Sequence, residues 1–132
     1  MRVVLDTNVL LAGLATHGLC EALLLLCYRD HLVILSDHIL SEFAQHYADK
    51  FKAGGEQTAM VVATLRAQSE IVTPAKVAPN ACADPDDLPV LGTAIAGRAD
   101  CLITGDQQLL AMGEYQGAQI LSPRAFYDRL RA

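Results

Sequence analysis

A chain of 132 residues and 14.2 kDa has the size of one ordinary domain and can bury roughly two thirds of its unfolded surface. Its 52% hydrophobic and 19% charged residues, with a mean hydropathy of +0.27, exclude a globally disordered chain, and the longest apolar run, Ala22 to Cys27, falls far short of the roughly 20 residues of a membrane span. The net charge of -5 at pH 7 argues against nucleic-acid binding through a broad basic face, though not against an enzyme whose acids are neutralised by metal.

Met1-Arg2 runs directly into Val3-Val4-Leu5, a short apolar strand stopped by Asp6-Thr7-Asn8, which reads as a polar turn. That early acid interrupts any secretory h-region, so the expected location is cytoplasmic. A helix follows over about Leu19 to Tyr28, apolar on most sides and therefore expected to be well buried. Leu32-Val33-Ile34-Leu35 is the second strand. Ser36-Asp37 starts the next helix as hydroxyl cap and first-turn acid, with Ile39, Leu40, Phe43 and Tyr47 at helical spacing.

Glu56 to Gln68 reads as a third helix, followed by the short Ile71-Val72-Thr73 run and a loop over Pro74 to Ala83. Asp84-Pro85-Asp86-Asp87 opens a helix running to about Arg98, and Pro89 fits it only in the first turn. Cys101 to Thr104 is a strand closed by Gly105-Asp106. A short helix through Leu109 and Leu110, a strand at Gln119-Ile120-Leu121 and a final helix capped by Ser122-Pro123 complete the chain.

Apolar strands that alternate with helices and lack hairpin turns predict a parallel sheet covered on both faces. The expected architecture is a three-layer α/β/α sandwich, one domain over residues 1–132. The cysteines Cys20, Cys27, Cys82 and Cys101 form no C-x-x-C pair and read as core or near-core residues.

In such sheets ligands gather beyond the carboxyl ends of the strands, where the winding reverses. Two strands end there in acids, Asp6 and Asp106, at opposite ends of the chain. Glu42 lies on the helix after the second strand, and Asp84, Asp86 and Asp87 open the helix after the loop. Alone, Asp6 reads as well as a helix cap or turn former, Asp84 to Asp87 more readily as a capped helix start, and Glu42 as a solvated helix residue; together they predict a carboxylate cluster. Like charges so placed repel unless protonated or neutralised, and carboxylate and water oxygens favour Mg2+ or Mn2+. Such ions support phosphodiester cleavage.

These residues resemble a known family. Val3 to Leu10 is similar to the opening motif of the PIN domain, and Leu35 to Glu42 to its second motif. Asp84-Pro85-Asp86-Asp87 and Leu102-Ile103-Thr104-Gly105-Asp106 resemble its third and fourth, in the same order, so the likeness covers essentially the whole chain. The resemblance is greatest to the toxins of bacterial toxin–antitoxin pairs. It implies a metal-dependent endoribonuclease that cuts single-stranded RNA, with Asp6, Glu42, Asp87 and Asp106 as catalytic metal ligands for Mg2+ or Mn2+. Asp84 and Asp86 are second choices to Asp87, and Asn8 and Thr104 would orient the acids. It also implies an antitoxin partner, with a homodimer as a further assembly. Gln107 and Gln108 stand where some members carry another acid, which bears on a second metal position.

Rival readings are weaker. A haloacid-dehalogenase-type phosphotransferase needs an acid where Asn8 stands, and a receiver domain needs a lysine after the later strand. His38, Glu42 and His46 are four apart on one helix, but read as a solvent-facing stripe rather than a zinc site. The remaining alternative is a non-catalytic module of the same fold that binds RNA or a protein. Two divalent ions would cancel four of the five excess negative charges and let RNA approach by way of Arg66, Arg98, Arg124, Arg129 and Arg131.

Overall fold

Val3, Val4 and Leu5 are fully buried, because their strand lies at the middle of a sheet covered on both faces. A computed structural model describes residues 1–131. In it β1 (Arg2–Leu5), β2 (Leu32–Ser36), β3 (Glu70–Val72), β4 (Cys101–Ile103) and β6 (Ala118–Leu121) are parallel, in the order β3-β2-β1-β4-β6, and β5 (Glu114–Tyr115) adds an antiparallel edge. The helices are α1 (Thr7–Ala15), α2 (Leu19–Asp30), α3 (Asp37–Phe51), α4 (Gly55–Gln68), α5 (Leu88–Ala96), α6 (Gln107–Met112) and α7 (Pro123–Arg131). The α/β sandwich expected from sequence is the fold observed.

β1 pairs with β2 through Val3↔Val33 and with β4 through Val3↔Cys101 and Leu5↔Ile103. The chain moves one way from β1 to β2 and β3, then returns to the other side of β1 as β4. The crevice between β1 and β4 is thus the topological switch point. It is where Asp6 and Thr104, each one residue past its strand, stand opposite each other.

α1 packs on α2 and α3, α3 on α4, and α5 on β1 and β2. Burial of Ile39, Leu40 and Phe43 holds α3 against the sheet; losing a side chain such as Phe43 would cost about 3–5 kcal/mol. Pro89 sits at the second position of α5, as its missing N–H requires. α5 ends at Ala96, two residues before Arg98, which has turned to φ 49°.

Three local expectations are corrected. Asp6-Thr7-Asn8 is no polar turn: β1 passes into α1 with Asp6 as the cap, drawn by burial of Val9, Leu10 and Leu11. A hairpin joins β5 to β6 through Gln116 and Gly117, both at positive φ, the geometry of a type I′ turn. α2 buries only Leu23, Leu24 and Cys27 of its apolar residues and leaves Leu25 67% exposed.

Candidate active site

Because β1 and β4 are neighbours, their carboxyl ends deliver Asp6 and Asp106 to one edge. The Asp6 amide extends the ladder by donating to the Ile103 carbonyl at 3.0 Å. Thr104, fully buried, donates its hydroxyl to Asp6 Oδ2 at 2.8 Å and accepts the Asp106 amide at 3.0 Å. Asp6 Oδ1 accepts the Thr7 amide at 2.8 Å as the cap of α1. Asp106 caps α6, its Oδ1 accepting from the amides of Gln108 and Leu109 at 2.8 and 3.1 Å. One threonine therefore joins the first and last acids of the set.

The other two acids face the same place. Burial is the first cause that pushes the Asp87 carboxyl up, to about 6; the charges of Asp106, Asp84, Asp6 and Glu42 follow in that order. Four carboxylates from four parts of the chain thus act on a fifth. Asp87 Oδ2 is buried without a hydrogen-bond partner. The Asp6 carboxyl is also raised, mainly by burial; hydrogen bonds from Thr104 and Thr7 oppose this, Asp106 adds to it, and His38 draws it back.

Asp6, Asp87 and Asp106 occupy the caps of α1, α5 and α6. The positive ends of three helix dipoles therefore meet the acids, which is the physical reason so repulsive a set survives in the fold. Ser36 caps α3 by accepting the Ile39 amide at 3.4 Å, and the buried Thr93 hydroxyl of α5 reaches Ser36 Oγ at 2.8 Å. That contact fixes the helix carrying Glu42 to the helix that follows Asp87.

The lesser members differ. Asp84 is exposed and caps the 3-10 turn Pro85–Asp87, accepting the Asp86 amide at 2.9 Å, while its charge still reaches Asp87. Asp86 is exposed and is not among the charges acting on Asp87. Asn8 is exposed in the first turn of α1, with no side-chain hydrogen bond among the described residues. The solvent stripe expected of His38, Glu42 and His46 is corrected. Only His46 is exposed; His38 is half-buried, its Nε2 3.0 Å from Glu42 Oε1 but outside hydrogen-bond geometry. Its spacing, four residues before Glu42, was the available signal.

Four of the five arginines expected to meet RNA have local partners. Arg66 pairs with Asp37, Arg124 with Asp128 at 3.8 Å, Arg129 bonds Gln119, and Arg131 lies over the Tyr127 ring.

Among the described residues no three His, Cys, Asp or Glu side chains form a ready-made ligand set. Carboxylate and water oxygens are the ligands that Mg2+ and Mn2+ prefer. The orphaned Asp87 oxygen and the all-oxygen donor set fit such a hard cation.

Among curated protein sequences none matches this chain. The fold is similar to that in the crystal structure of VapBC2 from Rickettsia felis bound to a DNA fragment from their promoter, with a TM-score of 0.64 and 17% identity. The match covers 92% of this chain and 98% of that one, and at such identity it is a likeness of fold. The family model for the PIN domain matches residues 2–108, which include every acid of the cluster. The chain belongs to the PIN domain family, whose members are generally nucleases.

Proposed function

We propose that this chain is a metal-dependent endoribonuclease that hydrolyses phosphodiester bonds of single-stranded RNA in the cytoplasm, as the toxin of a toxin–antitoxin pair. The observation that carries this reading is Asp87, whose carboxyl is pushed up to about 6 by burial and by four other carboxylates, one oxygen left buried and unpartnered. A fold does not keep such a strained group for stability; a cation relieves it.

Asp6, Glu42, Asp87 and Asp106 would hold Mg2+ or Mn2+, preferred by hard oxygen donors over softer ions. When bound, the ion supplies an activated water and charge stabilisation at the leaving oxygen. The chain's own part is orientation. Thr104 holds the Asp6 carboxylate and the backbone of Asp106 in one register, and Thr93 with Ser36 fixes α3 to α5. RNA as substrate rests on the family resemblance.

The partner reading has its own support. An apolar groove of about 340 Å3 runs between α1, α2 and α4, lined by Leu14, Leu25, Tyr28, Val61 and Leu65. It suits the apolar face of an amphipathic antitoxin segment, and one structural neighbour is a VapBC complex bound to a promoter DNA fragment.

The deciding experiment is cleavage of single-stranded RNA by purified protein, with excess EDTA, with Mg2+ or Mn2+, and with Asp6→Asn. Cutting that needs metal and disappears in the variant is the expected result. Undiminished cutting in chelator would overturn the mechanism, and no cutting under any metal would favour the non-catalytic binding module.

A further inference from the structure

The segment between β3 and the 3-10 turn is pinned to the scaffold. The Ala75 amide donates to the Gly92 carbonyl of α5 at 3.0 Å. Gly92 is buried in the helix interior, and a Cβ there would run into the Ala75 carbonyl oxygen and stand 3.1 Å from Pro74 Cβ and 3.2 Å from the Ala75 amide. Glycine weakens a helix interior; at this position it admits the loop against α5.

The result is an open groove of about 570 Å3 between the loop and α5, with Pro74, Lys76 and Val77 on one side and Leu88 and Pro89 on the other. His38 also lines the groove and stands 3.0 Å from Glu42, and Leu88 directly follows Asp87. Through these two residues the groove borders the carboxylate cluster. Its lining is mostly proline and aliphatic. Its one cation, Lys76, is exposed and has no ion-pair partner among the described residues.

This combination matches one nucleotide of a single strand. Unpaired bases present apolar faces that pack on side chains, whereas a duplex keeps those faces stacked. Phosphates beside the reacting one seek cations that set the register of the strand. Arg2, Arg29, Arg66 and Arg124 are ion-paired and Arg129 bonds Gln119, whereas Lys76 lines the groove itself and is the cation placed to do this.

We infer that the Pro74–Pro89 groove is a nucleotide subsite, seating the unstacked base next to the scissile phosphate while Lys76 holds a neighbouring phosphate. The inference rests on the nuclease reading and adds the segment that grips the strand.

The test uses a fluorescein-labelled single-stranded RNA of known cleavage position, and the same RNA with an abasic nucleotide placed at each position in turn. Cleavage kinetics with Mg2+ are compared for the wild type, Lys76→Ala, Lys76→Arg and Val77→Asp. Anisotropy in the Asp6→Asn background reports binding without cutting. Lys76→Ala and Val77→Asp should each raise KM roughly tenfold at unchanged kcat, and Lys76→Arg should restore binding. The slope of log Kd on log salt should flatten by about 0.7 in Lys76→Ala, the share of one phosphate contact. One abasic position beside the cut should weaken binding to the wild type and add nothing to Val77→Asp.

Metal-dependent cutting with KM, Kd and salt slope unmoved by Lys76→Ala would overturn the subsite and leave the nuclease reading standing. RNA binding without cutting, lost in Lys76→Ala, would support the subsite while removing the nuclease. Absence of both binding and cutting would overturn both. Lys76 is exposed, so its variants report even if Val77→Asp fails to fold.

Discussion

The Thr104 hydroxyl donates to the Asp6 carboxylate at 2.8 Å across the β1–β4 crevice, although 98 residues separate the two in sequence. The parallel register Leu5↔Ile103 makes the bond, since each residue is the next beyond its strand. The same hydroxyl accepts the Asp106 amide. Thr104→Val keeps the shape and removes both bonds, leaving a buried carboxylate and an amide short of a partner. The expected cost is about 1–3 kcal/mol of stability and a 10–100-fold loss of metal affinity or activity, as for other residues that orient ligands. Thermal melts and metal titration calorimetry check the two parts separately.

Asp6→Asn should abolish cleavage while leaving the metal-free fold equally stable or more so. Asp6 is 7% exposed, its charged form is penalised chiefly by burial, and Asp106 opposes it further. An amide removes that charge, still accepts the Thr7 amide, and can donate to Thr104, whose hydroxyl can reverse its role. A melting temperature unchanged or raised by a few degrees (~2–5 °C), with no cutting, is the expected pair. A destabilised variant would mean that the Asp6 charge serves the fold.

The pH dependence follows from Asp87. Its folded pKa, about 6, lies above the ordinary 3.8, so the fold disfavours its ionisation. Its contribution to stability is intact below about pH 4 and is lost as pH rises toward and beyond about 6. The metal-free protein should therefore lose stability over that window, and Asp87→Asn should lose less, with solvent screening trimming the effect at this half-exposed site. Divalent ions bind the ionised form, so affinity should fall by up to tenfold per pH unit below about 6, with proton release on binding. Calorimetry in buffers of different ionisation heat reads that proton directly.

Much of this arrangement was legible because apolar strands and their terminal residues are local signals. Val3-Val4-Leu5-Asp6 and Cys101 to Asp106 mark both strands and the acids at their ends, and Pro89 puts the start of α5 at Asp86 or Asp87, where Asp87 is the observed cap. α1 was hidden because Val9-Leu10-Leu11 is continuously apolar and buried, so no helical stripe shows. β5 has two residues, and its turn carries Gln116-Gly117 rather than the Asn-Gly or Asp-Gly that marks hairpins. His38 reads as solvent-facing because helical spacing alone does not reveal that it stands beside Glu42 and within reach of the Asp6 charge. Thr93 and Ser36, 57 residues apart, meet only through tertiary packing.

The partner groove gives a prediction that leaves the acids untouched. Leu25 is 67% exposed on α2 and Leu14 45% exposed on α1, and both line the groove with Val61 and Leu65 of α4. Leu25→Glu should change stability by no more than about 0.5 kcal/mol, as exposed substitutions do. RNA cleavage should stay at the wild-type rate, because the groove is formed by α1, α2 and α4 rather than by the residues around Asp87. A charge buried against an apolar partner face without a counter-ion costs at least several-fold in affinity and commonly much more. Co-expression with the product of a small adjoining reading frame, followed by co-purification and titration, measures this. Loss of the complex in Leu25→Glu with cleavage retained is the expected result. An equally tight complex would place the partner on another face, and no complex with the wild type would remove the antitoxin from the reading.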